Sequence, residues 1–102
     1  MTALRGTDDT GRTASPLDPE NLRTLLQEAP TSVGLEPADG GPGPSARAER
    51  DGAIRWSVRV SGPAGALVAS LPNTDAAFDA LRSWVADDGW WEQAFSWRPA
   101  AG

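Results

Sequence analysis

The sequence predicts an α+β fold with an N-terminal helix, an antiparallel β-meander of three to four strands, one helix in its C-terminal half packed on one face, and a short Trp-rich final strand. Three observations lead to this prediction. Apolar residues recur at helical spacing in two segments, and between these segments they alternate with polar residues. Four of the five tryptophans lie between residues 84 and 97, where they can supply much of the apolar area that a small core needs.

The first helix is expected to begin after Asp18 and to end before Pro30. Asp18 is a favourable N-cap, and Pro19 suits the first helical position. The apolar stripe of this helix consists of Leu22, Leu25, Leu26 and Ala29. An isolated helix of this length is barely stable in water, so its leucines must pack against the rest of the chain.

The clearest strand signal covers residues 53 to 60. Ile54, Trp56, Val58 and Val60 alternate with Arg55, Ser57 and Arg59, as in a strand with one buried face. Asp51-Gly52 is a favoured pair for a two-residue hairpin turn, which makes residues 47 to 50 the expected partner strand. The next strand is expected at residues 66 to 71.

The second helix is expected to follow Asn73 or Thr74 as its cap and to end at Asp87-Asp88-Gly89. Its apolar positions are Ala77, Phe78, Leu81, Trp84 and Val85. The stretch from Trp90 to Trp97 fits a period of two better than a helical period, and we therefore predict a final strand there.

The predicted domain organisation is simple. Residues 1 to 15 are small and polar without apolar periodicity, so we expect a disordered tail. Residues 16 to 102 then form a single small domain. Four prolines and four glycines between residues 30 and 45 predict a flexible Pro/Gly-rich loop at about residues 36 to 46, with at most a short strand around Ser32 to Leu35.

The composition excludes several kinds of chemistry. The chain contains no His, Cys, Tyr or Lys. The usual zinc sites, Ser–His–Asp and Cys–His catalysis and Schiff-base formation are therefore impossible. Carboxylate pairs remain, but Asp87-Asp88 and Asp75 with Asp79 are explained by a helix end and a solvated helix face. We expect no enzyme, no cofactor and no metal site. Residues with AT-rich codons are rare, which indicates a GC-rich bacterial genome.

The charge limits the partners. The formal net charge is −5 and the isoelectric point is about 4.5, which argues against nucleic-acid binding. No apolar run is long enough to span a membrane, and no secretory signal is visible, so a cytoplasmic location is expected. Residues 47 to 59 carry a net charge of +2 and residues 72 to 93 a net charge of −4. Ordinary solvated faces explain this separation, although it could also orient a charged partner.

The candidate contact residues are Trp90, Trp91, Trp97, Arg55 and Arg59. On a strand Trp90 and Trp91 would point in opposite directions, so one of them should be buried and the other exposed. The leading hypothesis is a non-catalytic, acidic protein-interaction module, an accessory or immunity-type protein with a protein partner or a second copy as a homodimer. The alternative is a small-ligand-binding domain with Trp as a stacking platform, and a carboxylate-dependent hydrolase is the third.

Overall fold

Antiparallel strands and helices build this protein around one sheet. The computed structural model describes residues 4–15, 17–38, 45–62, 65–86 and 88–100. The strands are β1 (Leu4–Asp8), β2 (Thr13–Ala14), β3 (Ser32–Pro37), β4 (Ala46–Arg50), β5 (Trp56–Gly62), β6 (Gly65–Leu71) and β7 (Arg98–Pro99). The helices are α1 (Pro19–Glu28), α2 (Thr74–Ala86) and α3 (Trp90–Ala94).

The strands lie in the order β2-β1-β3-β4-β5-β6-β7, and each neighbouring pair is antiparallel. Helix α1 packs near β1 and β3, and α2 packs near β5 and β6. The core lies between these helices and one face of the sheet. Its strand residues are Leu4, Val33, Leu35, Ala46, Ala48, Trp56, Val58, Val60, Ala69 and Leu71. No helix among the described residues combines the length and the apolar character needed to cross a membrane.

Helix α1 follows its sequence signals. The Asp18 carboxylate accepts a hydrogen bond from the Asn21 amide, and the Asn21 side chain accepts one from the Asp18 amide, which completes a capping box. At the other end, Arg50 donates from Nε to the Ala29 carbonyl oxygen at 2.8 Å and from Nη2 to that of Leu26 at 3.2 Å. Its guanidinium also lies 4.6 Å from the centre of the Trp56 ring. Arg50 therefore joins the end of α1 to the sheet.

The architecture predicted from the sequence is wrong in its sheet. Seven strands replace the expected three to four, and helices and strands together still make an α+β fold. The expected disordered tail is wrong for residues 4–15, because β1 and β2 lie there, while residues 1–3 are outside the described part. The signal of β1 was hidden because its inward positions after Leu4 are Gly6 and Asp8 rather than apolar residues.

The expected two-residue hairpin turn at Asp51-Gly52 is also wrong. Five residues, 51 to 55, separate β4 from β5, and Arg50 lies opposite Trp56. A turn at 51 and 52 would place Ala48 opposite Arg55 and mix buried with polar positions, since directly opposite residues share a face. The observed register places Ala48 opposite Val58 instead, and Ile54 falls in the loop with 68% of its surface exposed.

The Pro/Gly-rich loop expected at about residues 36 to 46 is replaced at its two ends by regular structure. Residues 36 and 37 belong to β3, and residue 46 begins β4. Residues 39–44 lie outside the described residues. The short strand expected around Ser32 to Leu35 is confirmed and extends to Pro37.

Helix α2 is confirmed, with the Asn73 side chain accepting a hydrogen bond from the Ala76 amide at 2.8 Å. The strand predicted for Trp90 to Trp97 is wrong, because its first part is helix α3 and only Arg98–Pro99 pairs with β6. Two side chains satisfy the first amides of α3. The Asp88 carboxylate accepts from the Trp90 amide and the Ser83 hydroxyl accepts from the Trp91 amide, both at 3.0 Å. These local bonds favour a helical turn over an extended chain.

Candidate functional site

Most of the indoles belong to the core. Trp56, Trp84 and Trp91 are buried, and the Trp56 indole donates to the Thr74 hydroxyl at 3.0 Å. The half-buried Trp97 packs edge-on against Trp91 with ring centres 5.1 Å apart. Its indole N–H donates to the Trp91 carbonyl oxygen at 2.7 Å. Since Trp91 is only 5% exposed, it offers no surface to a partner.

Trp90 is the one described tryptophan with a largely exposed side chain, at 44% of its surface. Its ring packs edge-on against Phe95, with ring centres 5.7 Å apart. The sequence correctly separated Trp90 from Trp91, but for the wrong reason. In α3 neighbouring side chains point about 100° apart, and this angle, rather than the alternation of a strand, buries Trp91 and leaves Trp90 at the surface.

The sheet face opposite the helices, which we term the open face, carries a row of arginines. The strand register places one residue of each strand from β1 to β7, without β2, in a line across the sheet. This line contains Thr7, Gly34, Arg47, Arg59, Val68 and Arg98. Arg47 and Arg59 are direct cross-strand partners, and Arg98 follows after Val68. All three arginines are exposed.

The arginines of the open face differ in their partners. Arg47 donates from Nε to a Glu49 carboxylate oxygen at 2.9 Å, and Arg5 pairs with Glu36 at 2.5 Å. Within the described part of the chain, neither Arg59 nor Arg98 forms an ion pair or a side-chain hydrogen bond. Four arginines and two glutamates give the described strand positions of this face a net charge of +2, although the whole chain carries −5.

The four arginines between residues 47 and 59, which give that segment its positive net charge, separate in space. Arg47 and Arg59 lie on the open face, whereas Arg50 turns inward to the end of α1. Arg55 is exposed in the loop between β4 and β5. Trp90 belongs to the helical layer on the other side of the sheet, so the structure does not bring Trp90 and Arg59 into one site.

A hollow of about 400 Å³ lies on the open face above the middle of β3. Gly34 forms its floor, because this position carries no side chain between Thr7 and Arg47 in the arginine row. Hydroxyl groups and one guanidinium surround this floor. The polar lining consists of Thr7, Asp8, Ser32, Ser45, Glu36 and Arg47. Nothing aromatic lines the hollow, so it offers no stacking platform.

A second hollow, of about 390 Å³, lies between the β2 region and α1, but its polar groups already serve the fold. Arg12 pairs with Asp8 at 3.0 Å and with Glu28 at 3.1 Å, and Asp18 caps α1. The buried Asp8 carboxylate accepts hydrogen bonds from the Thr10 hydroxyl and amide and from the Arg12 amide and guanidinium. The Thr10 hydroxyl bond is the largest of the causes that lower the pKa of Asp8 to about 2.

Two of the carboxylates considered from the sequence, Asp75 and Asp88, have structural partners, whereas Asp79 has none within the described residues. Asp88 accepts a hydrogen bond from the buried Ser83 hydroxyl, which lowers the pKa of Asp88, and Asp75 lies 3.6 Å from Arg23. Asp87 lies outside the described residues. Among the residues that the structure describes, no three His, Cys, Asp or Glu side chains converge as metal ligands would.

Comparisons with protein-family models, with curated protein sequences and with solved structures found no significant match to this chain. The candidate site therefore depends on the geometry alone. Sequence reasoning singled out Arg59 but missed the place of Gly34 and Arg98 in the same row. The signal for Arg47 and Arg59 was present in the alternation of polar and apolar residues along β4 and β5. The link to β3 and β7 exists only in the sheet order.

Proposed function

We propose that this chain is a non-catalytic protein-interaction module that binds an acidic segment of a partner protein on its open face. One observation carries the proposal. Arg47, Arg59 and Arg98 share one row across the sheet, and Arg59 and Arg98 have no carboxylate partner within the described residues. The contact surface thus includes Arg59, as the sequence suggested, but excludes the buried Trp91.

The energetics of the row support a ligand rather than a plain solvated face. Like charges directly opposite each other destabilise a sheet, and Arg47 and Arg59 stand in this relation. The Glu49 carboxylate pairs with Arg47 and offsets its charge. Glu49 lies opposite Ser57 rather than Arg59, so the charge of Arg59 keeps no such partner among the described residues. Guanidinium groups bind carboxylates through two parallel hydrogen bonds, so an acidic segment would relieve the repulsion and gain charge-assisted hydrogen bonds.

Two features favour a protein partner over a nucleic acid. The overall charge of −5 opposes a polyanion, whereas a short acidic segment meets mainly the local +2 of the open face. The described strand residues of this face also include no aromatic side chain on which a base could stack. A homodimer through this face would bring two arginine rows together, so a second copy is a weaker candidate than an acidic partner.

The other functions expected from the sequence gain no specific support. Trp90 is exposed, but it lines neither the hollow above β3 nor the hollow beside α1. A stacking site for a small ligand would need such a concave surface. Asp75 pairs with Arg23 and Asp88 accepts from the Ser83 hydroxyl, and neither of the two hollows is lined by Asp75, Asp79 or Asp88.

The proposal can be tested with a fluorescein-labelled peptide of alternating glutamate and serine, measured by fluorescence anisotropy at about 0.15 M salt, where a Debye length of about 8 Å screens the net charge of the whole chain. We expect Arg59→Glu to weaken binding at least about tenfold, since it replaces an attraction with a repulsion at the centre of the face. Arg55→Glu is the matched control, because it makes the same change of charge in the exposed loop. Equal losses of peptide affinity in both variants would show that only the net charge of the protein matters, and would overturn the proposal.

A further inference from the structure

Gly34 lies within strand β3, and the fold does not explain why glycine occupies this position. Its backbone does not adopt the positive φ that favours glycine. A Cβ built at this position would meet only the Thr7 carbonyl oxygen, at 4.0 Å, which is ordinary van der Waals contact. An alanine would fit. Glycine inside a strand costs conformational entropy and leaves no side chain to pack, so its presence calls for another reason.

For Gly6 on the neighbouring strand β1, by contrast, internal packing explains the glycine. A Cβ at Gly6 would lie 2.7 Å from the Leu25 Cδ1 atom and 3.0 Å from that of Leu17. Gly6 therefore allows α1 and the segment before it to approach the sheet closely. Gly34 lies on the open face, whereas its neighbour Leu35 lies on the face that packs against the helices. No part of the described chain occupies the space above Gly34.

The lining of this space defines what it can accept. Arg47 is directly across from Gly34, and its guanidinium reaches the Ser32 hydroxyl at 3.3 Å. Thr7 and Ser45 add hydroxyl groups that can donate hydrogen bonds. Two carboxylates, Glu36 and Asp8, also belong to the lining. Arg5 pairs with Glu36 at 2.5 Å, and the Asp8 side chain is fully buried and pairs with Arg12 at 3.0 Å. With both carboxylates paired, the hollow offers hydroxyl donors and the Arg47 guanidinium to a small polar group.

We infer that the hollow above Gly34 is the subsite that receives a carboxylate side chain of the acidic segment. This inference depends on the proposed function of the open face. The missing side chain at position 34 lets the partner's carboxylate reach the Arg47 guanidinium and the Thr7 and Ser45 hydroxyls from above the sheet. Neighbouring residues of the same segment then meet Arg59 along the row.

The test uses Gly34→Ala and Gly34→Val in the full chain, with the glutamate and serine peptide as the probe. Both variants should fold, and their urea midpoints should equal or exceed that of the wild type, since alanine and valine suit a strand better than glycine. We expect Gly34→Ala to weaken binding at least about threefold and Gly34→Val at least about tenfold, as the added atoms fill the hollow. Ser70→Val, which adds bulk on the open face at β6, is the control and should bind normally.

The outcomes separate the two proposals. Normal binding by a folded Gly34→Val variant, together with a loss in Arg59→Glu, would overturn the subsite and leave the proposed function standing. Normal binding by Arg59→Glu would overturn the proposed function itself. A peptide with glutamine in place of glutamate tests the ligand chemistry of the subsite. Gly34→Val should weaken binding of the glutamate peptide by a larger factor than binding of the glutamine peptide, and equal factors for the two peptides would overturn a carboxylate subsite.

Discussion

Arg47 on β4 and Arg59 on β5 are direct cross-strand partners on the open face, with both side chains exposed. Among the residues that the structure describes, one ion pair, from Arg47 to Glu49, compensates this pair of like charges. The arrangement lowers the stability of the sheet and raises the affinity of its surface for carboxylates. Stability and binding should therefore change in opposite directions when this pair is altered.

Arg59→Glu should make the protein more stable while it weakens peptide binding. The introduced carboxylate would face Arg47, and an opposite-charge pair in this position contributes about 0.2–1 kcal/mol to the free energy of unfolding. Urea unfolding followed by tryptophan fluorescence measures this change. Arg55→Glu lies outside the strands and should leave the midpoint nearly unchanged. A clear decrease in stability for Arg59→Glu alone would contradict the repulsion between Arg47 and Arg59.

Arg50→Ala should destabilise the protein by roughly 2 kcal/mol, since a charged donor to the carbonyl groups at the end of α1 is lost together with the contact to Trp56. The measurement is again urea unfolding. Arg55→Ala provides the comparison, because Arg55 is exposed in the neighbouring loop and should have a midpoint close to that of the wild type. Similar small effects in both variants would show that Arg50 does not hold α1 to the sheet.

Ser83→Ala should loosen the attachment of α3 to α2. The buried Ser83 hydroxyl bonds to the Asp88 carboxylate and accepts from the Trp91 amide at 3.0 Å. Removing it leaves the Trp91 amide without this acceptor, at a cost of about 1–3 kcal/mol. Hydrogen exchange of the Trp91 amide should become faster than that of amides in the middle of α1. Ser96→Ala, at an exposed position, should change neither quantity.

Asp8 should make the stability depend on pH in the acid range. Its pKa is lowered to about 2 in the folded chain from the usual 3.8, chiefly by the Thr10 hydroxyl and also by Arg12. The ionised carboxylate therefore stabilises the folded chain above pH 3.8, and this contribution is lost as the pH falls through about 2. Asp8→Asn should be less stable near neutral pH and should lose less stability between pH 5 and pH 2. Urea midpoints across this range will show whether the two curves converge at low pH.

Gly6→Ala should destabilise the protein, in contrast to Gly34→Ala. The added Cβ at position 6 would come within 2.7 Å of the Leu25 Cδ1 atom and 3.0 Å of the Leu17 Cδ1 atom, so these side chains or α1 itself must shift. Overpacking of this kind costs about 1–3 kcal/mol. A pair of urea titrations compares the two glycines directly. Equal decreases in the urea midpoint for both variants would contradict the conclusion that Gly34 is free of internal packing constraints.

The two long helices could be predicted because their signals are local. Asp18 and Asn73 supply caps, and apolar residues at helical spacing follow each of them within a few turns. The strand Trp56–Gly62 was also visible, since Trp56, Val58 and Val60 alternate with polar residues. The sequence signal for each of these elements lies within about a dozen residues.

The remaining parts of the sheet depend on partners that are distant in sequence. Strand β1 is held by pairing with β3, although its inward residues Gly6 and Asp8 give no apolar signal. The β4–β5 turn was mispredicted because the match of buried faces, rather than the turn sequence Asp51-Gly52, fixed the register. Helix α3 lies outside the sheet, and apolar periodicity did not predict it because its start depends on hydrogen bonds from the Trp90 and Trp91 amides to the Asp88 carboxylate and the Ser83 hydroxyl.

The sequence by itself determined the acidic charge, the absence of His, Cys and Lys chemistry, the two capped helices and the presence of Arg59 among the candidate contacts. Only the tertiary structure decided that Arg47, Arg59 and Arg98 share one row and that Gly34 leaves a hollow beside them. The physical reason is that side-chain periodicity is a local property of the chain. Strand order and register instead bring together residues that are up to several tens of positions apart.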